Sequence, residues 1–346
     1  MSSKWENWPV WDSKATFHTE NFRFTGSVSD YTGKTDKGEV VILKDHQFID
    51  IYRDLLKDFD PRTILEIGFF QGGMLLFLAD MIRPSKIVGI DCIAATPALL
   101  DVVANSGLGD LMEFVTISDQ SAAEEIKGVI SNRFGDVPLD MIIDDCSHMH
   151  DNTKICFENT FGYLRPGGKY IIEDWGWTHW VGAPWQDKES FFHNTPSMTN
   201  LIFELVMVLG SDPGLISNIE IASAACVIVT RGPGLPFKSK IVLKDSYRLA
   251  GRDMGMISDW VAAPQHVVGN APQFADAVLP GHVDAAVRAH VDAAVRAHVD
   301  TAVRAHVDAA RREDLALAAA RKAARKRRRP SQRIARFFRK LGGGES

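Results

Sequence analysis

The sequence predicts an α/β fold, a doubly wound and mostly parallel sheet, with a helical extension at its C-terminal end. Three observations predict it. Between Thr63 and Ile172, five short apolar runs alternate with helix-like segments, and repeated βα units feed a parallel sheet. The runs are continuously apolar rather than alternating, as strands covered on both faces require. Each run also holds, ends at or directly precedes an acidic residue, and the carboxyl ends of such strands line the ligand crevice of an open α/β sheet.

Taken in order, residues 1–38 are polar, carry Trp5, Trp8 and Trp11 at a spacing of three, and read as an arm laid over part of the core. DYTGKTDKGEV has turn chemistry. His46 to Phe59 is an amphipathic helix, because Phe48, Ile49, Tyr52, Leu55, Leu56 and Phe59 recur at helical spacing. The strands are Thr63–Ile67, Lys86–Ile90, Met112–Ile117, Leu139–Ile143 and Lys169–Ile172, with helices starting near Gly72, Pro97, Ser121 and Asn152. A helix over Ser190–Leu209 and a strand pair, Asn218–Ile221 and Ala225–Thr230, follow a Trp-rich loop from Trp175 to Trp185.

Residues 39–262 thus form the main domain. Residues 263–310 hold a turn-prone linker and an Ala-rich repeat, HVDAAVRA, of period eight from His282. Alanine favours helix, but valines every four residues drift around it, so no fixed seam forms. In the tail, 311–346, Ile334, Phe337, Phe338 and Leu341 share one helical face and Arg333, Arg336, Arg339 and Lys340 the other. That pattern suits an anionic membrane interface; a protein or nucleic-acid partner, or a solubilising role, are the alternatives. The tail carries about +10, which leaves about −15 on the rest of a chain of net charge −5.

The N-terminus has no apolar run of the secretory kind, and no segment approaches the ~18 apolar residues of a membrane span. The four cysteines form no CxxC pair, which suits reduced thiols in the cytoplasm.

The chemistry concentrates in PLDMIIDDCSH and LRPGGKYIIEDW. Two apolar runs end in paired carboxylates, Asp144–Asp145 and Glu173–Asp174, with His148 close by. Carboxylates brought together must bind a cation or hold a proton. The first strand leads into Glu66-x-Gly68-x-x-x-Gly72, where glycine lets the backbone approach a ligand. Asp91, 25 residues after Glu66, is placed to accept ribose hydroxyls, and Asp119 to accept an adenine amino hydrogen.

Over residues 40–232 the sequence resembles the class I S-adenosylmethionine-dependent methyltransferases, with their Rossmann-like fold. More narrowly, it is similar to the metal-dependent bacterial O-methyltransferases of sugars: the macrocin-type, rhamnosyl and cephalosporin-hydroxylase-like groups. LEIGFFQGG, IDDCSHMHDN and LRPGGKYIIEDW carry the resemblance, and Cys146 stands where the family often has glycine. The resemblance implies Mg²⁺ ligands at Asp145, Glu173 and Asp174 and a general base at His148. It also implies an S-adenosylmethionine site at Glu66, Gly68, Asp91, Asp119 and Asp144. A hard, oxygen-rich site suits magnesium, and the Trp-rich loop suits a sugar ring.

The expected activity is methyl transfer to a hydroxyl of a glycolipid, polysaccharide or glycosylated natural product. The expected state is a homo-oligomer in the cytoplasm, peripheral at the inner membrane face, with no nucleic-acid partner. A catechol or phenol O-methyltransferase and a membrane-tethered, non-catalytic scaffold are the competing readings.

Overall fold

The computed structural model describes residues 9–13, 16–26, 35, 39–180, 186 and 195–249. The HVDAAVRA repeat, the basic tail, Trp5, Trp8, Trp185 and His193 lie outside the described residues.

A seven-stranded sheet organises the molecule. Its strands are β5 (Thr63–Ile67), β6 (Lys86–Asp91), β7 (Met112–Thr116), β8 (Leu139–Asp144), β9 (Leu164–Glu173), β10 (Ile216–Ala222) and β11 (Cys226–Arg231), in the spatial order β10-β11-β9-β8-β5-β6-β7. Strands β5 to β9 pair in parallel, and β11 enters antiparallel between β9 and β10. The order reverses at β5, whose neighbours are β6 on one side and β8 on the other. The crevice beyond the ends of β5 and β8 is therefore the switch point of a doubly wound, Rossmann-like sheet.

The apolar runs form strands because both faces are covered. Helices α1 (His46–Lys57), α2 (Gly73–Ile82) and α3 (Pro97–Asn105) lie against one face. Helices α4 (Ala123–Phe134), α5 (His150–Thr160) and α6 (Met198–Ser211) lie against the other, with the short α7 (Leu243–Ser246). Helix starts follow their caps: Asp45 accepts from the Phe48 N–H, and Thr96 from the Leu99 N–H ahead of Pro97. Helix α6 begins at Met198, where Ser197 caps the Thr199 N–H directly after Pro196; the expected start at Ser190 lies outside the described residues.

The stretch before Glu39 is not merely a covering arm. It supplies β1 (Val10–Trp11), β2 (Thr16–His18) and β3 (Arg23–Gly26), which with β4 (Val40–Ile42) make a four-stranded sheet in that order. Strand β3 pairs in parallel with β4, across the expected boundary at residue 38. Phe17 and Phe24 are fully buried, stack at 4.9 Å, and meet Phe77 of α2 edge-on at 5.8 Å. Asp80 of α2, itself buried, accepts from the Thr19 hydroxyl at 2.6 Å and the Asn21 amide at 2.5 Å. These contacts fix the β2–β3 turn to the helix that follows β5.

Candidate active site

Strand alternation sorts the acidic residues. Successive side chains of a strand point to opposite faces. In β9, Ile171 packs with the α1–α3 layer and Ile172 with the α4–α6 layer. Glu173 therefore turns toward α1. In β8, Ile143 belongs to the first layer and Ile142 to the second, so Asp144 turns toward α5.

Asp144 is buried, and both its oxygens are engaged. Gln120 Nε2 donates to Oδ1 at 2.5 Å, and the Tyr170 hydroxyl donates to Oδ2 at 2.7 Å. Burial pushes the Asp144 carboxyl up to about 7 against the pull of the Tyr170 hydrogen bond. Gln120 in turn accepts from the Ser147 N–H at 3.2 Å. The network ties the loop after β7 to the loop after β8. Asp144, expected in the cofactor site, is buried at the end of β8, where its strand position faces α5.

Asp145, one residue on, leaves the strand and reaches the crevice. Its Oδ1 lies 3.8 Å from His148 Nε2, and His148 Nε2 lies 4.0 Å from Asp174 Oδ2. One donor atom from each of Asp145, His148 and Asp174 falls within 4.8 Å of the others, and all three are part-exposed. Two of them have strained backbones, His148 at φ +54° and Asp174 at φ +48°. Non-glycine residues hold such angles only where surroundings enforce them, and such strain gathers at functional sites. The enforcement is visible. Trp177 Nε1 donates to the His148 carbonyl at 2.8 Å, and the Asp174 N–H donates to Ala225 O at 2.6 Å.

Glu173, expected as a third metal ligand, has no exposed side-chain surface and shares the Lys44 ammonium with Asp145. Lys44 Nζ lies 2.5 Å from Glu173 Oε2 and 2.8 Å from Asp145 Oδ2, and the Tyr52 hydroxyl donates to Glu173 Oε1. Burial pulls the Lys44 ammonium toward deprotonation, but Asp145 and Glu173 outweigh it and hold its pKa above the ordinary range. Burial and the Asp145 charge push Glu173 up to about 8, against the pull of Lys44.

On the cofactor side, Glu66 is 1% exposed and its Oε2 has no hydrogen-bond partner. Gly68 has φ +92°, and a Cβ there would stand 2.1 Å from the Asp145 carbonyl oxygen. The glycine thus permits close approach of the β5 turn to the Asp145 loop. Asp91 accepts from the Phe70 N–H at 2.8 Å and the Ile93 N–H at 3.2 Å, which holds the β5 and β6 turns together at the crevice rim. Asp119 accepts from the Ser121 N–H and hydroxyl, both at 2.6 Å, as a turn cap.

Lys44, Tyr52, Gln120 and Tyr170 were not singled out as site residues in the sequence. Lys44 carried one signal, a lysine closing the apolar run Val40–Leu43 just ahead of a helix cap. Of the other described histidines on nearby segments, His150 pairs with Asp151 at 2.7 Å and His179 with Thr199 at 2.6 Å. Trp177 is 2% exposed and belongs to the core, whereas Trp175 is part-exposed at the rim.

The arrangement fits a hard divalent cation: the Asp145 and Asp174 carboxylates converge from two loops, with solvent access for further oxygen ligands and the His148 imidazole beside them. The unpartnered Glu66 oxygen beside a glycine turn at the switch point fits a ligand with N–H donors.

Residues 65–175 match a family model described as a methyltransferase domain. The chain is 36% identical over 146 residues to the mycinamicin VI 2''-O-methyltransferase of Micromonospora griseorubida, across 40% of this chain and 33% of that protein. It is 25% identical over 144 residues to the 8-demethyl-8-alpha-L-rhamnosyl tetracenomycin-C 2'-O-methyltransferase of Streptomyces olivaceus, across 39% of this chain and 35% of that one. The matched stretches span about a third of these relatives' lengths. Among solved structures, a similar one is the MycE methyltransferase of the mycinamycin biosynthetic pathway in complex with Mg, SAH and mycinamycin VI. Its TM-score is 0.41 at 23% identity, over 54% of this chain and 49% of that one.

Proposed function

We propose that the chain is a divalent-metal-dependent O-methyltransferase that moves a methyl group from S-adenosylmethionine to a sugar hydroxyl of a glycosylated natural product, glycolipid or polysaccharide. The observation that carries the reading is the Asp145–His148–Asp174 cluster, at the switch point of a sheet whose central segment matches the methyltransferase family. The two sugar O-methyltransferase relatives support the acceptor class. When bound, Mg²⁺ supplies positive charge that acidifies and orients the acceptor hydroxyl, and S-adenosylmethionine supplies the methyl group on a sulfonium.

The chain's own residues do the rest. Asp145 and Asp174 hold the cation, and His148 Nε2, aimed between them, takes the hydroxyl proton. Trp177 keeps His148 in its left-handed conformation and so fixes where that nitrogen points. Glu66 and Asp91, at the ends of β5 and β6, hold the amine and ribose of the methyl donor. Much of the acceleration would come from these residues holding the acceptor hydroxyl in place beside the bound methyl donor.

No described helix is long and apolar enough to cross a membrane. Residues 311–346 we read as a peripheral anchor on anionic lipid at the cytoplasmic face, and the chain as a homo-oligomer; the charge and face pattern of the tail supports the first.

Calorimetric titration of S-adenosylmethionine and Mg²⁺ tests the reading. Expected are heats for both ligands in the wild type, and loss of the Mg²⁺ heat in Asp145→Ala with cofactor binding retained. Absence of cofactor binding sinks the reading. Acceptor profiling decides between sugars and catechols.

A further inference from the structure

The strained turn that carries His148 is held on its N-terminal side by Gln120, a side chain from another loop. Gln120 follows β7 and is 1% exposed. Its Oε1 accepts from the Ser147 N–H at 3.2 Å and from the Ser147 hydroxyl. Its Nε2 donates to Asp144 Oδ1 at 2.5 Å and lies 3.4 Å from Thr153 Oγ1 in α5. The Ser147 N–H settles which end of the amide is which, since an N–H can only donate. The Ser147 hydroxyl, while it donates to Gln120, accepts from the Met149 N–H at 3.2 Å. It therefore carries the hold across to the far side of His148. Trp177 takes the carbonyl of His148 itself. Ser147, His148 and Met149 are thus hydrogen-bonded in succession, and these bonds enforce the φ of +54° at His148. Gln120 also sits next to Asp119, the acid read above as meeting the adenine of the methyl donor.

We propose that Gln120 is a positioning residue for His148, and that it ties the loop that meets the adenine of the methyl donor to the turn that aims the base. The proposal deepens the functional reading above and rests on it. A general base must stand within hydrogen-bond reach of its proton, so a turn held loosely loses the base. An amide suits position 120 because it donates at one end and accepts at the other. Gln120→Leu leaves Asp144 Oδ1 and the Ser147 N–H without this partner in a buried place. Gln120→Glu keeps the shape and the acceptor but sets a carboxylate against Asp144. Joining it with Asp144→Asn restores the bond with its polarity reversed. The new asparagine donates to the new glutamate and accepts from Tyr170, and the glutamate still accepts from Ser147.

The test is the His148 imidazole signal in nuclear magnetic resonance of the full chain with labelled histidine, assigned by its loss in His148→Gln. It is recorded without ligand and at saturating S-adenosylhomocysteine, with no metal added. In the wild type the signal is expected to shift on saturation. Gln120→Leu is expected to displace the ligand-free signal and to lose the shift, although calorimetry still shows the cofactor product bound. The exchange variant, Gln120→Glu/Asp144→Asn, is expected to regain the shift. If Gln120→Leu does not fold, Gln120→Glu alone takes its place in the comparison. A Gln120→Leu signal that matches the wild type, or that still follows the cofactor product, overturns the proposal. So does a folded exchange variant that binds without regaining the shift, or a wild-type signal that ignores the bound molecule. Gln120→Leu that folds but binds no S-adenosylhomocysteine also overturns it, because Gln120 then serves the cofactor directly. A wild type that binds none overturns the functional reading and this proposal with it. Absent methyl transfer with the His148 signals as expected overturns the functional reading alone.

Discussion

Asp144 and Asp145 are adjacent in sequence and serve opposite sides of the molecule. One lies under the sheet with Gln120 and Tyr170, and the other reaches the crevice with His148 and Asp174. The same division separates Glu173 from Asp174. The pairing of carboxylates was plain in the sequence, and so was the rule of alternation that divides them. What the sequence could not supply was the partner of each, since Lys44 and Glu173 are 129 residues apart and Gln120 and Asp144 are 24 apart. Gly68 gives the sharpest test at this scale. Its φ of +92° disfavours any side chain, and an added Cβ would meet the Asp145 carbonyl at 2.1 Å. Gly68→Ala is expected to cost at least ~2 kcal/mol in chemical denaturation and to weaken Mg²⁺ binding by displacing Asp145. A variant with wild-type stability and metal affinity would show that the close approach is dispensable.

At the scale of elements, β5 to β9 and their helices were legible because their signals are strong and local: unbroken apolar runs, a capping threonine before Pro97, a glycine turn after β5. Strands β1 to β3 were not. They are two to four residues long and of mixed polarity, and they become strands only by pairing with each other and packing Phe17 and Phe24 on α2. The base of the sheet is stapled by a carboxylate that sequence reading passed over. Asp140 of β8 accepts from the backbone N–H groups of Arg62 and Thr63 at 2.7 and 3.0 Å, and from the Arg165 guanidinium. Burial pushes its pKa up, but Arg165 and the two N–H groups outweigh it and hold it below 3.8. A carboxyl lowered on folding contributes stability that is complete above its unfolded value and lost as the pH falls through its folded one. Asp140→Asn is expected to cost about 1–2 kcal/mol at pH 7, with the gap to wild type closing below about pH 4. A gap that is constant with pH would assign the loss to packing instead.

For the whole molecule, the sequence shows a charge division that the sheet does not explain, about −15 on the body against about +10 on residues 311–346. Attraction to anionic lipid is worth ~1 kcal/mol per basic residue near the surface and is screened by salt. Deletion of residues 311–346 is expected to abolish co-sedimentation with phosphatidylglycerol vesicles while methyl transfer to a soluble acceptor persists. Retained co-sedimentation would remove the anchoring role.

The nesting of Gly68 against Asp145 also has a thermodynamic consequence. The turn proposed to meet the methyl donor and the loop proposed to hold the metal touch through backbone, which yields less than a side chain would. Whatever orders one therefore orders the other, and the two ligands are linked. Linkage is reciprocal: the factor by which Mg²⁺ changes the affinity for S-adenosylmethionine must equal the factor by which S-adenosylmethionine changes the affinity for Mg²⁺. On that reading, the order in which they arrive governs only the path, and the proposed site is complete only when both have closed on the same point of the chain.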